Sequence, residues 1–250
     1  MTTFFVVQVI LLYIYWTWQF GRRAGIGLGV WLGVTYLLAH DGWLRFGPVP
    51  PPLFFLLLPA IIATILLARK VSVTHAGLGW PIGYQSFRIL VEIFLWWGHR
   101  EDVVPVQLTF EGRNFDIITG LTAPLVALLP TPRWLVHAWN FMGLALLINV
   151  VTVAILSMPT PLQRFEHSNL FVIQDPYVWL PLFLVPSALF GHLALWRRLT
   201  SRQEGAGKAH GIGSGAQRAA RGRHQYPGPA CPVPRWRRLS AEDSRRESVR

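Results

Sequence analysis

The sequence predicts an all-α membrane protein: a polytopic transmembrane helical bundle of about seven spans, followed by a polar tail. Of its 250 residues, 52% are hydrophobic and only 14% are charged, whereas an ordinary soluble domain has about 25% charged residues. Apolar runs long enough to cross a hydrocarbon core of about 30 Å recur up to residue 200. The composition changes abruptly at Ser201, which predicts two domains, residues 1–200 and residues 201–250.

Seven runs are predicted to cross the bilayer as helices. The fourth is the shortest and contains Arg88 and Glu92, so hydropathy alone would score it poorly. Asn114 is predicted to cap the N-terminus of the fifth. The runs cover residues 4–20, 24–39, 53–68, 84–98, 116–130, 134–157 and 177–196.

Charge placement predicts the orientation, because basic residues favour the cytoplasmic side of a membrane. With the tail inside, seven spans place no carboxylate on an inner connector, and every carboxylate of residues 1–200 except Glu92 falls outside. Six spans would move four basic residues to the outer side. We therefore predict an outer N-terminus and an inner C-terminus, with these basic residues on the inner connectors: Arg22, Arg23, Arg69, Lys70 and Arg133.

The tail is predicted to be a disordered Arg/Gly/Pro-rich cytoplasmic segment. It lacks the apolar residues that would offset the entropy of ordering. Its arginines could bind anionic lipid or RNA, but a solvated tail is the favoured interpretation and no nucleic-acid partner is expected. The single cysteine, Cys231, lies in the tail and excludes an intrachain disulfide.

The candidate polar site lies in residues 85–116. Gln85, Arg88, Glu92 and Trp96 are spaced three, four and four apart, so they share one helix face. An unpaired charge at membrane depth costs about 2.5–3.5 kcal/mol, and we therefore expect Arg88 to pair with Glu92. Such a pair is typical of proton or ion relays and of substrate counter-charges, but it also occurs as a purely structural pair, which is the slightly favoured alternative.

The connector PVQLTFEGRNFD, residues 105–116, is the densest polar motif. A capped helix start explains Asn114 and Asp116, because the helix dipole favours a negative charge there. No fixed metal-ligand spacing is present, so we expect neither a metal nor a cofactor. The candidate site therefore comprises Arg88, Glu92, Glu111, Arg113, Asn114 and Asp116.

Two further patterns predict contacts between helices. Asn140, Asn149 and His192 are polar residues within apolar spans and are predicted to form structural hydrogen bonds across helices. Glycines four apart form a small-xxx-small ridge that allows another helix to approach closely. Besides the lipid bilayer, we therefore predict a partner helix on the ridge Gly21, Gly25, Gly29 and Gly33.

Residues 85–124, with the patterns FR…E, TFEGRNFD and GLTAP, resemble a group of bacterial multi-pass membrane proteins of unknown function. WN at 139–140 and VWLPLFLVP at 178–186 are similar too. The resemblance covers about residues 5–198 and implies a multi-pass protein of the bacterial cytoplasmic (inner) membrane. It implies no activity.

Three functions stay open. A non-catalytic assembly or scaffold role is marginally favoured over a small-solute or proton transporter that uses the candidate site. The third is an enzyme acting on a lipid or envelope precursor at the outer face, with Glu101, Glu111 or Asp116 as general acid or base. No recognisable catalytic motif supports it, and GxSxG is absent.

Overall fold

The computed structural model describes residues 1–45, 52–70 and 79–200, and the regular elements in this part of the chain are all helical. The predicted tail lies outside the described residues. The eighth helix opens with a π-helical turn, Leu180–Leu184. The helices are α1 Thr2–Phe20, α2 Arg22–His40, α3 Leu53–Lys70, α4 Gly79–Gly83, α5 Phe87–Arg100, α6 Ile117–Leu128, α7 Arg133–Leu156 and α8 Leu180–Thr200.

Four of these helices, α1, α3, α7 and α8, are long and apolar enough to cross a membrane. The remaining long helix, α2, has 19 residues but starts with two arginines, and α6 has only 12 residues. The predicted all-α class is confirmed for the described residues. The four candidate spans are compatible with a membrane protein.

The predicted fourth span, residues 84–98, belongs to a longer helical segment. α4, the 3-10 turn Tyr84–Ser86 and α5 follow one another without a break from residue 79 to residue 100. At a rise of 1.5 Å per residue, a helix over these residues is about 33 Å long. The sequence pattern missed its first turns because Gly79, Pro81 and Gly83 do not resemble a helix.

Contacts near the helix ends fall into two groups. In one group, the N-terminal amine lies 3.9 Å from Glu101 Oε1, just after α5, and the Thr2 hydroxyl lies 2.7 Å from the Tyr177 hydroxyl, just before α8. In the other group, the Arg197 guanidinium near the end of α8 donates to the Ala68 carbonyl near the end of α3. The start of α1 thus meets the end of α5 and the start of α8.

Two indole hydrogen bonds join α2 to the beginning of α8. Pro186 has no N–H, so the Leu182 carbonyl one turn earlier lacks its usual helical donor. Trp31 Nε1 donates to that carbonyl at 3.0 Å, and Trp179 Nε1 donates to the Leu32 carbonyl at 3.0 Å. A side chain of α2 therefore compensates for the proline in α8.

The glycine ridge of α2 lies in two different environments. A Cβ added to Gly25 or Gly29 would press on side chains of α1, whereas a Cβ on Gly33 would meet no atom within 4 Å. Gly21 has a φ of +83° and forms the turn between α1 and α2. Gly25 and Gly29 thus serve packing within the chain, and a partner helix on the ridge stays a prediction.

Trp31→Phe is expected to lower the free energy of unfolding by about 1–3 kcal/mol, because the Leu182 carbonyl then loses its donor in a buried position. Thermal unfolding in detergent, followed by circular dichroism, measures the effect. Trp18→Phe is the control, since Trp18 is 77% exposed. In a Pro186→Ala background, the backbone N–H returns and Trp31→Phe should cost less; an equal cost in both backgrounds would contradict this role of Trp31.

Candidate functional site

The interior of the described bundle holds a polar network centred on Arg88 of α5. Arg88 Nε donates to Asp116 Oδ2 at 2.7 Å, and Arg88 Nη2 lies 2.6 Å from Asp116 Oδ1. The guanidinium therefore makes one charge-assisted hydrogen bond to the carboxylate and one further close charge contact, which lacks hydrogen-bond geometry. Arg88 is 2% exposed and Asp116 is 5% exposed, so water does not screen the pair.

The third nitrogen of Arg88 fixes the state of His192 in α8. Arg88 Nη1 lies 2.9 Å from His192 Nε2, and a guanidinium can only donate, so Nε2 must accept. The proton of the neutral ring is therefore on Nδ1, which lies 2.8 Å from Asn140 Oδ1 in α7. Asn140 Nδ2 completes the arrangement by donating to the His192 carbonyl at 3.3 Å.

A second carboxylate, Glu92, lies one turn further along α5 and has a different partner. Asn114 Nδ2 lies 2.7 Å from Glu92 Oε1 and 2.9 Å from Oε2. The same amide group donates to the Leu108 carbonyl at 3.0 Å, and Asn114 Oδ1 accepts the N–H of Asp116 at 3.0 Å. Asn114 thereby links the Glu92 carboxylate to the backbone of Asp116.

The predicted pairing of Arg88 with Glu92 is wrong, because Asp116 occupies the guanidinium. A pair within one helix would have joined no other element, whereas the observed pair ties α5 to the start of α6. Its consequence is a charge imbalance: the network contains one guanidinium and two carboxylates, and its histidine is neutral. In a low-dielectric interior, one proton or one further cation would restore neutrality.

The predicted N-cap is also corrected. α6 begins at Ile117, and Asp116 occupies the N-cap position without a side-chain capping bond. The Asp116 carboxylate turns instead to Arg88, and Asn114 holds the Asp116 N–H. The ion pair takes precedence over helix capping because it removes a buried unpaired charge.

Local turns after α5 bring Asn114 and Asp116 back into the bundle. The end of α5 is a Schellman motif, in which the N–H of Val103 bonds to the Gly98 carbonyl at 2.9 Å and Asp102 takes a φ of 58°. The connector then doubles back on itself, with the N–H of Asn114 on the Thr109 carbonyl at 3.1 Å. A Cβ on Gly112 would collide with this backbone, so the turn requires glycine.

Three glycines allow the helices to close around the network. A Cβ on Gly120 of α6 would lie 2.9 Å from the Ile89 nitrogen of α5. A Cβ on Gly143 of α7 would collide with the His192 ring, and one on Gly191 of α8 would collide with the Gln85 side chain. Each network helix therefore approaches a neighbour at a position that has no side chain.

Two of the six predicted site residues lie elsewhere, on the exposed surface. Glu111 accepts from Trp96 Nε1 at 2.8 Å and pairs with Arg100 at 3.0 Å. The Trp96 hydrogen bond, assisted by the Arg100 charge, lowers the pKa of Glu111. The Arg113 guanidinium lies 5.5 Å from the centre of the Phe165 ring. These contacts make Glu111 and Arg113 surface anchors of the connector, separate from the buried network.

The network borders a small cavity of about 40 Å³, whose lining includes Arg88, Glu92 and Asp116. A space of this size holds one or two water molecules. A larger apolar groove of about 230 Å³ lies beside it, between α3, α7 and α8. The described residues contain no group of three or more His, Cys, Asp or Glu side chains that could hold a metal ion.

The sequence indicated part of the network only. The predicted cross-helix bonding of Asn140 and His192 is present, but nothing in the pattern indicated that His192 also meets Arg88. One signal was available: His192 is the only histidine inside the predicted seventh span. An imidazole at membrane depth needs a polar partner within the bundle. Gln85, predicted on the same face as Arg88, donates to the Ala188 carbonyl of α8 at 3.0 Å.

Comparison with protein-family models, with curated proteins and with solved structures finds no match for this chain. Conclusions about its function therefore rest on the geometry of the site.

Asp116→Asn is expected to lower the free energy of unfolding by about 3–5 kcal/mol, because it removes the direct ion-pair partner of the buried Arg88 guanidinium. The double variant Arg88→Gln/Asp116→Asn should recover most of this loss, since it replaces the ion pair by two neutral amides. Thermal unfolding of the purified single and double variants measures both. Glu111→Gln, which removes an exposed ion pair, is the control and should change little; a double variant less stable than Asp116→Asn would contradict the role of the charge.

Proposed function

We propose that this chain is a seven-span protein of a bacterial cytoplasmic membrane, with its N-terminus outside and its C-terminus inside. Three observations support seven spans. Helical residues 79–100 are about 33 Å long, the contacts of the helix ends fall into two groups, and seven crossings keep carboxylates off the inner connectors. The bacterial location rests on the resemblance of residues 85–124.

Within that membrane, we propose a proton-coupled transporter whose proton-binding residue is Glu92. The observation that supports it is the surplus carboxylate. Asp116 forms the ion pair with Arg88, whereas the hydrogen-bond partner that the described residues give the Glu92 carboxylate is the neutral Asn114 amide. Glu92 also borders a cavity. Ionisable residues at membrane depth that face a cavity are typical of proton and ion pathways.

The Arg88 guanidinium bears on whether the proposed transporter is a carrier or a channel. Arg88 stays protonated and donates all its bonds, so it cannot accept and pass on a proton. It separates Glu92 from His192, and no proton can be relayed along the network between them. Glu92 must therefore be exposed to the two sides in turn, which predicts the saturable kinetics of a carrier and not those of a channel.

The scaffold role and the outer-face enzyme are supported to different degrees. A scaffold role is favoured by the well-bonded network and by the open α2 face around Gly33, where a partner helix would have room. For an outer-face enzyme, the three carboxylates named from the sequence are all engaged: Glu101 with the N-terminal amine, Glu111 with Arg100 and Asp116 with Arg88. The enzyme hypothesis therefore has the least support.

Reporter fusions after residues 78 and 105 test the topology. A seven-span chain places residue 78 inside and residue 105 outside, because residues 79–100 cross between them. An alkaline phosphatase fusion, active outside, and a fluorescent protein fusion, active inside, should therefore give opposite results at the two positions. The same side for both fusions would contradict the seven-span arrangement.

Glu92→Gln should abolish proton movement by the reconstituted protein, because glutamine fills the same space but carries no exchangeable proton. Vesicles loaded with a pH-sensitive dye measure the movement, driven in one series by an imposed membrane potential and in another by an imposed gradient of an organic cation. In either series the rate should saturate as the concentration of the driving ion rises. Glu111→Gln is the matched control and should leave the rate unchanged, since Glu111 lies outside the network. Equal rates for wild type and Glu92→Gln would overturn the transporter proposal and favour the scaffold.

A further inference from the structure

We infer that Glu92 exchanges its proton for a lipophilic monovalent ammonium ion, whose hydrocarbon chain lies in the apolar groove between α3, α7 and α8. This inference rests on the proposed function, because it assigns a second ligand to the same carboxylate.

The groove is suited to a hydrocarbon chain. Its volume is about 230 Å³, and its wall consists almost entirely of apolar side chains, most of them from the three helices, such as Leu57, Ile61 and Val151. Of its two polar lining side chains, Thr152 donates to the Ile148 carbonyl of its own helix at 2.8 Å, and the other is Asn169. A polar solute would find few partners along the wall, whereas an alkyl chain would lose no hydrogen bonds there.

The small cavity beside the network adjoins the groove. The groove and the cavity share five lining residues, so the two spaces lie side by side: Leu95, Leu147, Val150, Leu180 and Val185. We place the head group of a chain lying in the groove in this adjoining cavity, beside Arg88, Glu92 and Asp116. This juxtaposition of an aliphatic groove and a charged end is suited to an amphiphile.

Charge complementarity selects the head group. The charged groups that face Glu92 are Arg88 on its own helix and Asp116 at the start of α6, and these two neutralise each other. From α8, the neutral His192 contacts Arg88. An ionised Glu92 thus leaves one negative charge, which one proton or one ammonium group balances. An anionic head group would double the imbalance, and an alcohol would leave it unchanged.

The exchange conserves charge at each step. Glu92 releases its proton to water, and the ammonium ion takes the proton's place beside the carboxylate. No covalent bond forms, and the network is neutral before and after. Binding should therefore be weaker at low pH, where the proton competes for Glu92, and the ammonium ion should release one proton for each ion bound.

Calorimetric titration of the purified full chain in detergent tests the inference with octylammonium as the probe. Titrations in buffers of different ionisation enthalpy measure proton release. Octanol and octyl sulfate have the same chain length and differ in charge, so they are the matched probes. We expect octylammonium to bind about tenfold or more tightly than either, because it alone neutralises Glu92.

Two variants separate the head group from the chain. Glu92→Gln should weaken octylammonium binding about tenfold or more and abolish proton release, while octanol binding stays the same. Val150→Phe, which fills the junction of groove and cavity, should weaken both octylammonium and octanol. Equal binding of the three probes, or unchanged proton release in Glu92→Gln, would overturn the inference.

The result can be told apart from a failure of the proposed function. If Glu92→Gln abolishes proton movement in vesicles while the three probes bind alike, Glu92 is a proton site and the ammonium ligand is wrong. If proton movement persists in Glu92→Gln while octylammonium binding depends on Glu92, the ligand site stands and the transporter proposal falls.

Discussion

The ion pair between Arg88 and Asp116 is the interaction on which the interior of this bundle depends. The two side chains are almost fully buried, and removing either from its partner would leave an uncompensated charge in a low-dielectric environment. The pair joins α5 to the beginning of α6, and the remaining donor of Arg88 reaches α8 through His192. Asn140 then extends the same network to α7. Four segments are thereby fixed around a single guanidinium.

That geometry gives each titratable group a different chemical character. Asp116 is committed to Arg88, and His192 is held as one neutral tautomer by a donor on one side and an amide oxygen on the other. Among the described residues, Glu92 is the carboxylate of the network that forms no ion pair of its own. The proposed proton-binding residue is therefore the one that the sequence predicted as the partner of Arg88. The same observation explains why the network can be a structural clamp and still leave one carboxylate for proton chemistry.

The sequence predicted the helical class and the approximate position of every described long helix, because apolar runs and charged ends determine both. It also predicted four of the buried site residues as candidates, since charges within apolar spans are conspicuous. The ion-pair partner of Arg88 was not predictable from spacing. Glu92 is four residues away and Asp116 is 28 residues away, and only the turn at Gly112 shows that the chain folds back and brings Asp116 to the guanidinium. Glu111 and Arg113 were included for the same reason: proximity in the chain does not distinguish the inner from the outer side of a connector.

In α8, side chains from neighbouring segments donate hydrogen bonds to carbonyl groups of the irregular backbone. It is the most buried of the four candidate spans, and it starts with a π-helical turn that contains Pro181 and is followed by Pro186. The carbonyl that Pro186 leaves free is taken by an indole from α2, and the carbonyl of Ala188 receives an additional donor from Gln85. The helix that contributes His192 is therefore positioned by side chains from both sides of the bundle.

The glycines around the network have a consequence for how this chain can evolve. At Gly120, Gly143 and Gly191, a single methyl group would meet the α5 backbone, the His192 ring and the Gln85 side chain, respectively. Gly143 and Gly191 can therefore change only together with the polar side chains they face, whereas a larger residue at Gly120 would have to displace the α5 backbone. The outward residues of the same helices, such as Leu125 and Phe141, are exposed and can be exchanged for other apolar residues with little effect. Lineages descended from this chain should thus diverge rapidly on the outer surface while small residues persist at the three contact points, a signature of the network that would be readable from sequences alone.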